Sequence, residues 1–116
     1  MNKDLSHDLD YLEDYIAKWR ESKGFYTPSK MDETQITLTM ADALLGKLML
    51  VVTEVAEAAE AVRHHDKENF IEEIADVFIR LLDICGSMNI DISDAIYEKM
   101  CKNEKRPIRH GKKTAV

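Results

Sequence analysis

Residues 54–76 read Glu54-Val-Ala-Glu57-Ala-Ala-Glu60-Ala-Val-Arg-His64-His65-Asp66-Lys67-Glu-Asn-Phe-Ile-Glu72-Glu73-Ile-Ala-Asp76. Two acidic phrases, Glu54-x-x-Glu57 and Glu73-x-x-Asp76, lie in strongly helical, apolar surroundings. Side chains three apart on a helix share a face, about 5–6 Å apart at Cβ, so each phrase projects two carboxylates in one direction. Between them His64-His65-Asp66-Lys67 breaks the apolar pattern, and Asp66 is a good helix N-cap, so the spacing predicts a chain reversal there. Two antiparallel helices joined by that turn would bring the pairs face to face. Converging carboxylates in a bundle repel one another unless a cation lies between them. Hard oxygen ligands of this kind suit Mg²⁺, with Mn²⁺ as a substitute.

Working outward, Thr39 to about His64 predicts one long helix, with Asp42 completing a capping-box-like pair with Thr39. Leu45, Leu48, Met49, Val52, Ala56 and Ala59 form one face, which Leu44, Val51, Val55, Ala58 and Val62 widen to about half the cylinder. Leu50 and Ala61 fall among the acidic residues. A helix this apolar needs cover on most sides, which predicts a homodimer or a dimer of dimers built on a four-helix core. Gly46 is a poor helix residue, and a close neighbouring backbone would explain it. Lys67 to Met88 predicts the next helix, with Phe70, Ile71, Ile74, Val77, Phe78, Leu81, Leu82 and Cys85 on its core arc. Glu73, Asp76, Arg80 and Asp83 gather on the complementary face. Asn89 ends this helix, Asp91 caps another from Ile92 to about Lys105, and Pro107 stops it.

Toward the N-terminus, Leu5, Leu9, Leu12, Ile16 and Trp19 recur at helical spacing, from about Asp4 to Lys23, with Gly24 as the end cap. Such a stripe reads as core, although Trp19 could also reach a ligand. Gly24 to Gln35 reads as a loop with Thr27-Pro28-Ser29 as its turn. Phe25 and Tyr26 either staple it to the bundle or cover a planar base. The expected fold is therefore an all-α antiparallel bundle of four main helices, one domain over residues 1–116, with a basic tail at 107–116.

Charge narrows the partners. The chain of 116 residues carries a formal net charge of −6. Residues 102–113 hold six Lys/Arg against Glu104, leaving 10 basic and 21 acidic residues elsewhere. An acidic body disfavours polymeric nucleic acid, while a basic end could grip a small anion. Leu48-Met49-Leu50-Val51-Val52 is stopped by Glu54, far short of a membrane span. The start has no secretory pattern, and Cys85 and Cys101 have neither disulfide-framework nor metal-ligand spacing. A reducing cytoplasm is the expected compartment.

The acidic face has a plainer reading as a solvated surface, with Asp76 and Arg80 as an ordinary i,i+4 ion pair. A ferritin-like di-metal site needs Glu-x-x-His, and none of His7, His64, His65 and His110 has a Glu three residues before it. There is no Walker loop, no Gly-x-Gly-x-x-Gly and no serine elbow. Chemistry here would fall to metal, water and positive charge.

Taken together, Glu54-x-x-Glu57, fifteen intervening residues (58–72) and Glu73-x-x-Asp76 resemble the signature of MazG-like nucleotide pyrophosphohydrolases, in the all-α NTP pyrophosphatase superfamily. Lys47-Leu-Met-Leu-Val-Val-Thr-Glu54 and Glu72-Glu73-Ile-Ala-Asp76-Val match as well. Lys99-x-x-x-Asn103-x-x-Arg106-Pro, then His110-Gly111-Lys112-Lys113, is similar to the family's phosphate-contacting C-terminal region. The resemblance spans about Ala43 to Lys113. It implies Glu54, Glu57, Glu73 and Asp76 as Mg²⁺ ligands and Lys99, Asn103, Arg106 and Lys112 as phosphate-binding residues. Trp19, Phe25, Glu60 and Asp83 are candidates for base or outer contacts. It further implies hydrolysis of a (d)NTP to (d)NMP and pyrophosphate by metal-activated water, in nucleotide-pool cleaning or adjustment. Thr53 departs from the pattern, where relatives often carry another Glu. The competing class is a non-enzymatic helical dimer acting as an interaction module, which predicts no metal dependence and no nucleotide turnover.

Overall fold

The computed structural model describes residues 6–23, 36 and 38–106. Among them are four helices and no strand: α1 (Ser6–Ser22), α2 (Leu38–Arg63), α3 (Lys67–Ser87) and α4 (Ile92–Glu104). The all-α bundle expected from the sequence is the observed architecture. The Gly24 cap, the loop with Phe25 and Tyr26, Lys112 and the basic tail lie outside the described residues, as does the Thr39 side chain.

Local chemistry sets the helix ends. After α2, His65 takes a left-handed conformation at φ 56°, and the Asp66 backbone N–H donates to the Ala61 carbonyl at 2.9 Å. The Asp66 side chain then accepts from the Asn69 N–H at 3.1 Å and starts α3. A left-handed residue followed at once by an N-cap turns the chain within three residues, so α2 and α3 pack lengthwise as an antiparallel hairpin. At the far end Asn89, at φ 57°, closes α3 while the Ile90 N–H reaches the Cys85 carbonyl at 2.9 Å. Asn tolerates this region better than most residues. Asp91 accepts from the Asp94 N–H at 3.1 Å and starts α4. α1 lies against α3 and α4.

The buried side of α2 is not the one its apolar stripe suggests. Leu44, Glu54, Ala58 and Ala61 are buried, and Lys47 and Val51 are half-buried. These positions share a helical stripe that faces α3. Leu45, Leu48, Met49, Val52 and Val55, one flank over, are exposed, Met49 to 61%. On α3, Leu82 and Cys85 are buried, whereas Ile71, Ile74, Phe78 and Leu81 are exposed, Phe78 to 58%. In an antiparallel pair, corresponding flanks of both helices fall on the same side. The hairpin therefore presents one apolar side and, on the opposite flank, its carboxylates. Ala58 and Ala61 contribute small buried side chains to the helix–helix seam. Gly46 also differs from expectation: a Cβ there would meet nothing within 4 Å among the described residues. It lies on the exposed surface of α2, and no close backbone among the described residues accounts for it. In α1, Ile16 is buried as expected, but Leu12 and Trp19 are about half exposed and Arg20 takes the inward position. No described helix is long and apolar enough to cross a membrane.

Candidate functional site

On the acidic flank of the hairpin, Glu54 and Glu57 from α2 and Glu73 from α3 each place a carboxylate oxygen within 4.8 Å of the others. The i,i+3 spacing on α2 and the tight 64–66 turn produce this convergence. Glu54 is buried, Glu73 half-buried and Glu57 exposed, so the group opens to solvent on one side. Oε2 of Glu73 is buried without a hydrogen-bond partner among the described residues.

Such crowding has an electrostatic consequence. The Glu73 carboxyl is pushed up from an ordinary 4.5 to about 7. The largest cause is hydrogen bonding toward the neighbouring Glu54 carboxylate, followed by loss of solvent and then by the hydrogen-bonding and charge of Glu57 and the charge of Glu54. Like charges held this close favour keeping one of them neutral. A hard dication would relieve the same repulsion, and three carboxylates with one orphaned buried oxygen fit Mg²⁺ or Mn²⁺.

Asp76 is not among the three converging groups. It is exposed on α3, one turn beyond Glu73. Arg80 does not pair with it. Instead Nε of Arg80 donates to Oε1 of Glu54 at 3.0 Å, across the hairpin. The helical spacing makes the local pair geometrically possible, but Glu54 is the better desolvated acceptor, with a side chain 11% exposed. Thr53 lies outside the group: its hydroxyl donates back to the Met49 carbonyl at 3.0 Å.

Asp83 is a hub. Arg20, 4% exposed, pairs with its Oδ1, and Lys47 donates to Oδ2 at 3.3 Å. One carboxylate thus ties α1, α2 and α3 together, with both oxygens engaged. The sequence marks Asp83 as a candidate but not its partners: Arg20 sits next to the Trp19 of an apolar stripe, and nothing in its spacing marks it as inward. Glu60 lies at the end of α2 and pairs with Arg63 at 3.0 Å, with His64 at 3.9 Å. Lys99 and Asn103 are on α4 and Arg106 just beyond it, on the element that packs against α1. Lys99 and Arg106 are exposed, while Oδ1 of Asn103 is buried without a partner among the described residues.

Comparison with known proteins identifies a family. The family model of the MazG nucleotide pyrophosphohydrolase domain covers residues 43–110, more than half of the chain. That stretch contains most of α2, all of α3, the three converging carboxylates, Arg80, Asp83 and all of α4. No curated protein and no solved structure gives a match.

Proposed function

Since the chain belongs to the MazG nucleotide pyrophosphohydrolase domain family, we propose that it hydrolyses a (d)NTP between the α and β phosphates, giving (d)NMP and pyrophosphate. The observation that carries this reading is the convergence of Glu54, Glu57 and Glu73 beside a buried, unpartnered carboxylate oxygen. These three residues, with Asp76 from the next turn of α3, would hold Mg²⁺. When bound, the ion supplies positive charge to the triphosphate oxygens and acidifies a water. Lys99, Asn103, Arg106 and Lys112 bind and orient the phosphates, and the cations among them offset the charge gathering on departing pyrophosphate. Trp19 and Phe25 are the aromatic side chains assigned to the base. The role is adjustment or cleaning of the cytoplasmic nucleotide pool.

The test is product identity. Each common NTP and dNTP is incubated with the purified protein and Mg²⁺, and the products are separated. Equal amounts of monophosphate and pyrophosphate are expected from the preferred substrate. Orthophosphate with a diphosphate would overturn the assignment of the bond cleaved. No turnover of any nucleotide would favour the interaction-module class.

The same reading includes a homodimer, with the option of a dimer of dimers. Large exposed side chains on α2 and α3, among them Leu45, Met49, Val52, Ile71 and Phe78, form one apolar side. A contiguous apolar patch of more than a few hundred Å² is uncommon on a monomer. Stable partners cover roughly 800 Å² each. Sedimentation equilibrium is expected to give a dimer or larger, and Phe78→Asp, which places a charge in the interface centre, is expected to weaken association at least about a hundredfold. A monomeric wild type at tens of micromolar would remove the dimer from the proposal.

A further inference from the structure

Arg80 is placed in a way that its ion pair alone does not explain. Its guanidinium reaches across the hairpin to Glu54 through Nε, and that is its sole partner among the described residues. The terminal nitrogens Nη1 and Nη2 therefore have no protein acceptor there, and the side chain is 39% exposed. Nε pinned at one edge leaves the two-pronged end of the guanidinium free, and that end matches the spacing of two phosphate oxygens. Glu54 thus fixes the fork beside the carboxylate group, so less side-chain freedom is lost when an anion is bound.

Charge balance points the same way. Glu54, Glu57 and Glu73, together with the proposed ligand Asp76, bring four negative charges when all are ionised, and one dication leaves the group at −2. A polyphosphate would then meet net repulsion. Among the described residues, Arg80 is the one cation in contact with the converging carboxylates, and it halves the remaining negative charge, to −1. Lys47 and Arg20 are committed to Asp83.

We propose that Arg80 is a phosphate-binding residue of this site, holding Glu54 through Nε and a phosphate of the substrate or of pyrophosphate through Nη1 and Nη2. The inference rests on the metal-centre reading above and adds a binding residue on α3 to those assigned to the C-terminal region. It also separates two roles that a plain structural ion pair would merge.

The test uses the full-length protein and two binding measurements. Mn²⁺ affinity is read by electron paramagnetic resonance without nucleotide, and pyrophosphate affinity by calorimetry at saturating Mg²⁺. For Arg80→Ala, pyrophosphate affinity is expected to fall about tenfold or more, as for loss of a charge-assisted hydrogen bond. Mn²⁺ affinity should be unchanged or tighter, because Glu54 loses a competing cation. For Arg80→Lys a several-fold loss of pyrophosphate affinity is expected, since one ammonium lacks the planar fork. That variant also serves if Arg80→Ala does not fold. Equal pyrophosphate affinity in wild type and the variants would overturn the inference. So would a fall in Mn²⁺ affinity as large as the fall in pyrophosphate affinity, which would make Arg80 only a support for Glu54. A wild type that binds no Mn²⁺ would overturn the metal centre itself. A wild type that binds Mn²⁺ and pyrophosphate, alongside variants that do so equally, would overturn the role of Arg80 alone.

Discussion

Glu54→Gln and Glu57→Gln are each expected to reduce kcat/KM by at least about a hundredfold, the scale reached when charge stabilisation is removed from a site built around it. The amide keeps the volume and one oxygen but loses the charge that a hard dication requires. The two variants should differ in stability. Glu54 is buried and bonded to Arg80, so its replacement weakens a cross-hairpin ion pair as well as the metal site. Glu57 is exposed, and no ion pair joins it to another described residue, so Glu57→Gln should fold as well as wild type in EDTA. Activity assays beside thermal melts separate the two effects. A Glu57→Gln protein with wild-type kcat/KM would remove it from the ligand set.

The paired acidic phrases, the reversal at residues 64–66 and the N-caps Asp66 and Asp91 were legible because each depends on chemistry within a few residues. Convergence of Glu54, Glu57 and Glu73 followed from that local information, since a short turn leaves antiparallel packing as the compact option. What was not legible depended on choosing between neighbours. Periodicity defines the Leu45–Met49–Val52 stripe but not what covers it. Among the described residues no backbone approaches Gly46, and its place in the apolar helix does not say what would. Arg80 has Asp76 within helical reach and Glu54 across the hairpin, and spacing favours the first whereas desolvation favours the second. Arg20 is hidden by its position next to Trp19. Its inward turn is explained only by Asp83, sixty-three residues away. Neither member of that pair signals the other in the sequence.

The last expected result joins the carboxylate group to stability. Glu73 titrates near 7 in the folded protein, against an ordinary 4.5. A group whose folded pKa lies above its unfolded value contributes stability that is complete below the unfolded pKa and lost as pH rises through the folded one. Without metal, wild type should therefore lose stability progressively from about pH 4.5 to above 7. Glu73→Gln has no proton to lose there. It should melt close to wild type at pH 5 and at or above it at pH 8. Metal reverses the comparison. A ligand that binds only the folded state stabilises it by RT ln(1 + [L]/Kd), about 2.7 kcal/mol at a hundredfold excess over Kd. Below pH 7 the ion must displace the Glu73 proton, so the apparent Mg²⁺ affinity of wild type should weaken about tenfold per pH unit. The Mg²⁺-induced rise in Tm should accordingly be larger at pH 8 than at pH 6 in wild type, and small at both in Glu73→Gln, which should also be inactive. Melts in EDTA and in Mg²⁺, at matched ionic strength and fixed protein concentration, measure all of these differences. Equal Mg²⁺ shifts in the two proteins would show that Glu73 does not bind the ion. A wild-type shift independent of pH would show that no proton is exchanged for metal at this group.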